Sequence, residues 1–203
     1  MMPEGMSGRE QQLIEISTRI FAEIWQNRLL SIKTDYETDQ YRYDREVIGM
    51  IEKLLQRWKQ LYDGQTKELQ YIVISPLNSG VITRSYEFQI ALFDQDLYIE
   101  ENPLCAYWTP TFIYRDIEED IMLYRQKASK EIIRLREDEI YEIRRRYTLC
   151  HAYITMFYLN KIVRKVYELP IWSEIAVQDI KVLYGAYMEQ MVELGIAQKE
   201  VTI

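Results

Sequence analysis

The residues best suited to hold a small molecule lie between positions 84 and 108. Arg84 interrupts the apolar face of an alternating stretch, and Tyr86, Tyr98, Asn102, Tyr107 and Trp108 follow it closely. A guanidinium on a buried face demands a counter-charge. Either a carboxylate of the chain supplies it, with Glu100 nearby in sequence, or the anionic group of a ligand does. These six residues are therefore the expected lining of a pocket between a sheet and a helix. Its aromatic rings would give bulk, and a few polar groups would give orientation.

Other groupings carry less chemistry. Cys150-His151 contains the single histidine of the chain. Adjacent helical residues point about 100° apart, so neither activates the other. One His with two Cys also falls short of a zinc ligand set. His151 shares a polar line with Thr148 and Thr155, which reads as a hydrogen-bonded or solvated groove. Asp35, Glu37, Asp39 and Glu46 have the outline of a calcium loop, but Gln40 stands where that loop turns on glycine. Helix capping and solvation account for these acids. Arg144, Arg145 and Arg146 fan around a helix instead of forming one face, and Arg146 has Glu142 at the i,i+4 spacing. The sequence has no glycine-rich phosphate loop. No catalytic residue, metal site or cofactor is expected.

Composition narrows the classes further. A net charge of −7 over 203 residues disfavours bulk attraction to nucleic acid or anionic lipid. The start of the chain lacks a basic and apolar leader, and the longest apolar stretch, 147–159, is too short to span a bilayer. Cys105 and Cys150 give no disulfide framework, so a cytoplasmic protein with reduced thiols is expected. Seven Gly and five Pro argue for long regular elements. Seventeen Tyr exceed ordinary usage, and Tyr favours boundary packing, interfaces and partly wet pockets.

The elements that must position these residues are organised around 116–169, which contains no Gly and no Pro. Asp116 with Glu119 makes a capping box, acids gather at the start, and Arg144 to Lys165 supply cations towards the end. The first half carries an apolar stripe (Ile117, Ile121, Tyr124, Ala128, Ile132, Leu135), which slips between Leu135 and Ile140. The second half is apolar on nearly every side. An unbroken helix of this length would span roughly 80 Å. That exceeds the ~45 Å expected of a globule of this size, so a bend near 135–139 with some projection is expected.

Before this axis, residues 1–64 read as a helical hairpin. Leu13, Ile16, Ile20 and Ile24 mark its first helix, a turn falls at 33–39 with Thr34 and Glu37 as capping box, and Val47, Ile51, Leu54, Trp58 and Leu61 mark its second. Residues 68–115 read as a β-rich insert. A strand at 69–77, a turn at 78–80, a strand ending at Leu92, a tight loop at 94–96 and a strand at 97–101 form a meander, with a fourth strand at 111–114. The proline-bracketed 102–110 is an irregular link. Residues 170–195 read as a final helix that starts at Pro170 and stops at Gly195.

The expected fold is a single α+β domain, mainly α: an antiparallel helical bundle built on one long helix, with a small antiparallel β-meander. The leading functional expectation is a non-enzymatic interaction or regulatory module that self-associates or binds a protein partner. A small-ligand sensor using the pocket above is the second reading, and an enzyme of unrecognised type the third. Neither nucleic acid nor a membrane is an expected partner.

Overall fold

The computed structural model describes residues 8–63, 67–97, 103–175, 180–186 and 189–195. They are mainly helical, with one five-stranded mixed sheet, and fall into two compact units. The first takes residues up to 39 together with 111–151. The second takes 40–110 together with the chain from 152 onward. Among the described residues no helix is long and apolar enough to cross a membrane.

In the first unit α1 spans Gly8–Thr38 and buries Leu13, Ile16, Ile20, Ile24 and Ile32 on one line. The turn expected at 33–39 shrinks to a bend at Asp39, because the helical i→i−4 ladder continues through the residues before it. Thr38 Oγ1 donates to Thr34 O at 2.7 Å and Asp39 N to Asp35 O at 3.3 Å, so no capping box forms there. A short helix α4, Thr111–Tyr114, stands where a fourth strand was expected; all of Phe112, Ile113 and Tyr114 are buried. Helix α5 follows at Ile117–Ala128, and Glu137 begins α6, which runs to Tyr167 and enters the second unit at Ala152.

The long axis is therefore two helices, interrupted at 129–136 and not merely bent at 135–139. Arg134 there adopts φ 55°, the left-handed region. Asp116 precedes α5, yet its side chain does not cap the helix; its carboxylate binds Arg28 instead. α5 folds back beside α6: Arg144 Nε donates to Glu118 Oε1 at 2.8 Å, Arg125 pairs with Glu137, and Tyr147 Oη donates to Asp120 Oδ2 at 2.7 Å. Folding back removes the length conflict of an unbroken rod.

In the second unit α2 spans Gln40–Tyr62 and buries Val47, Ile51, Leu54, Leu55 and Trp58 at the expected spacing, while Leu61 stays exposed. The strands are β1 Tyr71–Pro76, β2 Phe88–Phe93, β3 Leu104–Trp108, β4 Lys181–Tyr184 and β5 Val192–Leu194. Their order is β3-β2-β1-β4-β5, with β1 and β4 parallel and the other pairs antiparallel. The sheet is thus mixed, not a local meander. Residues 78–83, expected as a turn and the start of a strand, form α3 (Asn78–Thr83). The strand expected at 97–101 lies mostly outside the described residues, and the link expected to be irregular contains β3.

Both faces of the central strands are buried. Val73, Ala91 and Phe93 form one cluster with Tyr71, Leu97, Cys105, Leu183 and Met191 against it. On the alternate positions Ile72, Ile74, Phe88, Ile90 and Leu92 are buried as well. The second half of α6 reaches the sheet through Tyr158, whose ring stacks on Trp108 with centroids 6.0 Å apart.

The expected final helix is α7, Pro170–Ile175, followed by β4 and β5. Two close approaches require glycine here. A Cβ on Gly185 would lie 3.0 Å from Gln190 O, and Gly195 has φ +84° and would press on Tyr167.

Candidate functional site

Of the six residues picked out for a pocket, Arg84, Tyr86, Tyr107 and Trp108 fall within the described residues. Arg84 is exposed and left-handed (φ 62°), closing α3 instead of standing on a strand face. Tyr86 is buried at φ 50°, one turn of chain later. Its backbone passes so close to Gly80 that a Cβ there would lie 3.3 Å from Tyr86 N. Thr109 Oγ1 donates to Ser85 O at 3.4 Å, which brings this turn beside the end of β3. Trp108 is buried between Phe88 and Tyr158, whereas Tyr107, next to it on the same strand, is 55 % exposed. The neighbouring Cys105 sulfur pushes the Tyr107 phenol up, with smaller contributions from burial and a nearby carboxylate. Tyr98 and Asn102, with the suggested partner Glu100, lie outside the described residues.

A different constellation assembles in the first unit. Arg28 on α1 grips Asp120 on α5 in a two-pronged bond, Nε to Oδ2 at 2.8 Å and Nη2 to Oδ1 at 2.7 Å. Its third nitrogen takes Asp116. Tyr147 of α6 donates to the same Asp120. One guanidinium and one phenol from two different helices therefore satisfy a carboxylate that is almost fully buried. Arg28 holds its proton more tightly for it, chiefly through the bond to Asp120. Burial first, and then Asp120, drive the Tyr147 phenol far above its ordinary value.

Around this cluster the rings of three helices interlock. Phe21 stacks on Tyr147 at 4.1 Å and on Tyr124 at 5.2 Å, while Trp25 meets Tyr147 edge-on at 5.8 Å. His151 is enclosed by Trp25, Tyr147 and Tyr114 and has no exposed surface. Its Nδ1 lies 3.1 Å from Tyr147 O, and a carbonyl can only accept, so Nδ1 carries the proton. Burial lowers its pKa to about 4, so the ring is neutral at physiological pH. A proton-transfer base must reach the substrate's proton. A fully enclosed, neutral imidazole bonded to its own helix is a packing group.

Two grooves flank the cluster. One, between α1 and α5, has a volume of about 760 Å³ and is floored by Ile24, Arg28 and Asp120, with Glu23 and Lys127 at its rim. The other, between α1 and α6, measures about 360 Å³ and is walled by Phe21, Trp25, Ile143 and Tyr147, with Arg146 and Cys150 at its mouth. Both volumes fall in the range of small-molecule sites.

The other sequence groupings are engaged in ion pairs. Asp35 takes Arg115 at 2.5 Å and Glu37 lies 3.8 Å from Lys33. Arg144 binds Glu118, while Arg145 and Arg146 share Glu142, as the i,i+4 spacing of the latter pair implies. Sequence reasoning missed Arg28, Asp120 and Tyr147. A signal existed: Ile20, Ile24, Arg28 and Ile32 step by four, and a charge on such a line must find a buried partner.

No protein-family model matches the chain, and neither a curated protein nor a solved structure is detectably similar to it.

Proposed function

We propose that this chain is a non-enzymatic interaction module that associates with a second copy of itself through α6. One observation carries the reading. Leu149, Tyr153 and Phe157 recur every four residues on one side of α6 and are 52, 65 and 64 % exposed. Such a spacing places all three on one helical face. Exposed aromatic and aliphatic side chains in a row are the composition of interface anchors.

Charge favours a second copy as occupant. Glu137, Asp138 and Glu142 open the helix, and Lys161, Arg164 and Lys165 lie towards its end. An antiparallel copy would set each acidic start against a basic end, which fixes orientation more than it adds affinity.

Light scattering on the eluting protein tests this. A dimer is expected at about 100 μM, a concentration that populates any complex of micromolar Kd. The double substitution Tyr153→Glu with Phe157→Glu should abolish the dimer that dissociates on dilution, with unchanged far-ultraviolet circular dichroism. A wild-type protein that stays monomeric at that concentration would end the proposal.

A second reading, binding of a small apolar ligand, is favoured by the aromatic groove between α1 and α6. Trp25 lines it, so a hydrophobic fluorophore bound there should quench tryptophan emission. Unchanged emission in Trp25→Phe relative to wild type on titration would remove it.

A further inference from the structure

The turn between α5 and α6 has hydrogen bonds of its own, Ile132 N to Ala128 O at 2.8 Å among them, and is also gripped by a residue far away in sequence. From Asp116 to Leu169 there is no Gly or Pro, so no local breaker stops a helix from running through 129–136. The chain nevertheless leaves the helix, and Arg134 takes a left-handed conformation that L-residues other than Gly disfavour. Arg9, on the first turn of α1, locks the arrangement. Its Nη1 donates to Ile133 O at 3.3 Å and its Nη2 to Arg134 O at 3.0 Å. Its Nε donates to Glu139 Oε1 at 2.5 Å, and Glu139 also accepts the backbone N–H of Arg136 at 2.8 Å. In an unbroken helix those two carbonyls would accept the amides of Glu137 and Asp138. Arg9 and the continuous helix compete for the same acceptors.

We propose that this turn opens and that two copies of the chain exchange everything from α6 onward, α5 and α6 becoming one helix across 129–136 in each copy. The partner is a second copy because only it offers the complementary surface. The Arg144–Glu118 and Tyr147–Asp120 bonds, the stack of Phe21 on Tyr147 and the pairing of β4 with β1 all re-form between copies. The exchanged form loses the carbonyl contacts of Arg9. It relieves Arg134 and completes the helical ladder. Strained turns without flexible residues are where such exchange starts. The exchange goes beyond the association through the α6 face and does not use it.

The experiment is run on protein carrying Tyr153→Glu and Phe157→Glu, so that any dimer arises from exchange alone. Met122→Cys and Arg145→Cys, in a chain with Cys105→Ser and Cys150→Ser, take spin labels, and each labelled chain is diluted into unlabelled copies. In the exchanged dimer the two labels sit 23 residues apart on one helix, about 35 Å; in the closed hairpin, where Glu118 meets Arg144 and Asp120 meets Tyr147, the two helices run side by side and the labels lie well within that distance. Arg9→Ala is expected to enlarge the long-distance, dimeric population. Arg134→Gly removes the left-handed penalty and should shrink it about tenfold. Dimers that keep the short distance would overturn the proposal. So would the absence of any long distance in both the parent and Arg9→Ala, or an Arg134→Gly protein with an undiminished long population. If Arg9→Ala does not fold, the parent and Arg134→Gly distributions decide alone.

Discussion

Two buried tyrosines of the first unit show how one hydroxyl can support a fold or burden it. Tyr147 donates to Asp120, and the carboxylate needs that donor because it is almost fully buried. Tyr147→Phe should cost about 1–3 kcal/mol in urea unfolding. Tyr124 has a fully buried ring, and its hydroxyl has no hydrogen-bond partner among the described residues. Burial pushes its pKa up to about 12. Tyr124→Phe removes an unsatisfied donor at constant shape and should be neutral or stabilising by about 1 kcal/mol in the same measurement.

His151 adds a pH dependence of definite sign. The unfolded chain takes up its proton near pH 6.5, whereas burial holds the folded value near about 4. Between those values the unfolded state binds more protons, so stability falls as the pH falls. The loss approaches about 3 kcal/mol across that window, and His151→Phe should abolish it. Glu139 acts in a lower window. The Arg9 hydrogen bond holds it down to about 2, so its contribution is complete above about pH 4.5 and disappears towards 2. Unfolding free energies at a series of pH values separate the two.

At the scale of elements, periodicity set what formed and long-range contacts set where it stopped. The apolar lines of α1 and α2 became helices because each step of three or four buries a side chain. The Thr34 and Glu37 cap failed because helix propensity through 33–38 met no Gly or Pro. The terminal stretch reversed its expected type. Val182 and Tyr184 are buried and Lys181 is exposed, a period of two that becomes decisive once β1 offers an edge for parallel pairing. Gly195 then has a specific duty: its amide donates to Asn160 Oδ1 at 2.7 Å and its φ is positive. Gly195→Ala would place a Cβ 2.8 Å from the Tyr167 hydroxyl in a left-handed backbone. The expected cost is about 1–3 kcal/mol by thermal or chemical unfolding. Ala at Gly8, which has open space around it, should leave stability within about 0.5 kcal/mol.

For the whole molecule, the association proposed through α6 would make stability depend on concentration, since a partner that binds only the folded chain stabilises it by mass action. Tm should rise with protein concentration in the wild type and less steeply when Tyr153 and Phe157 carry Glu; differential scanning calorimetry over a hundredfold range reads this. By itself the sequence determined the class, the two leading helices, β1 and the presence of helix on both sides of residue 135, because these follow from local periods and from scarce Gly and Pro. Tertiary structure alone decided the rest. It broke the axis at 129–136, since Arg9 lies more than a hundred residues away from the carbonyls it holds. It placed β4 beside β1, a pairing between segments equally remote in sequence. It put Arg28, Asp120 and Tyr147 on one hydrogen-bonded node, because a buried charge reveals that it needs a partner but not which residue the fold will bring to it.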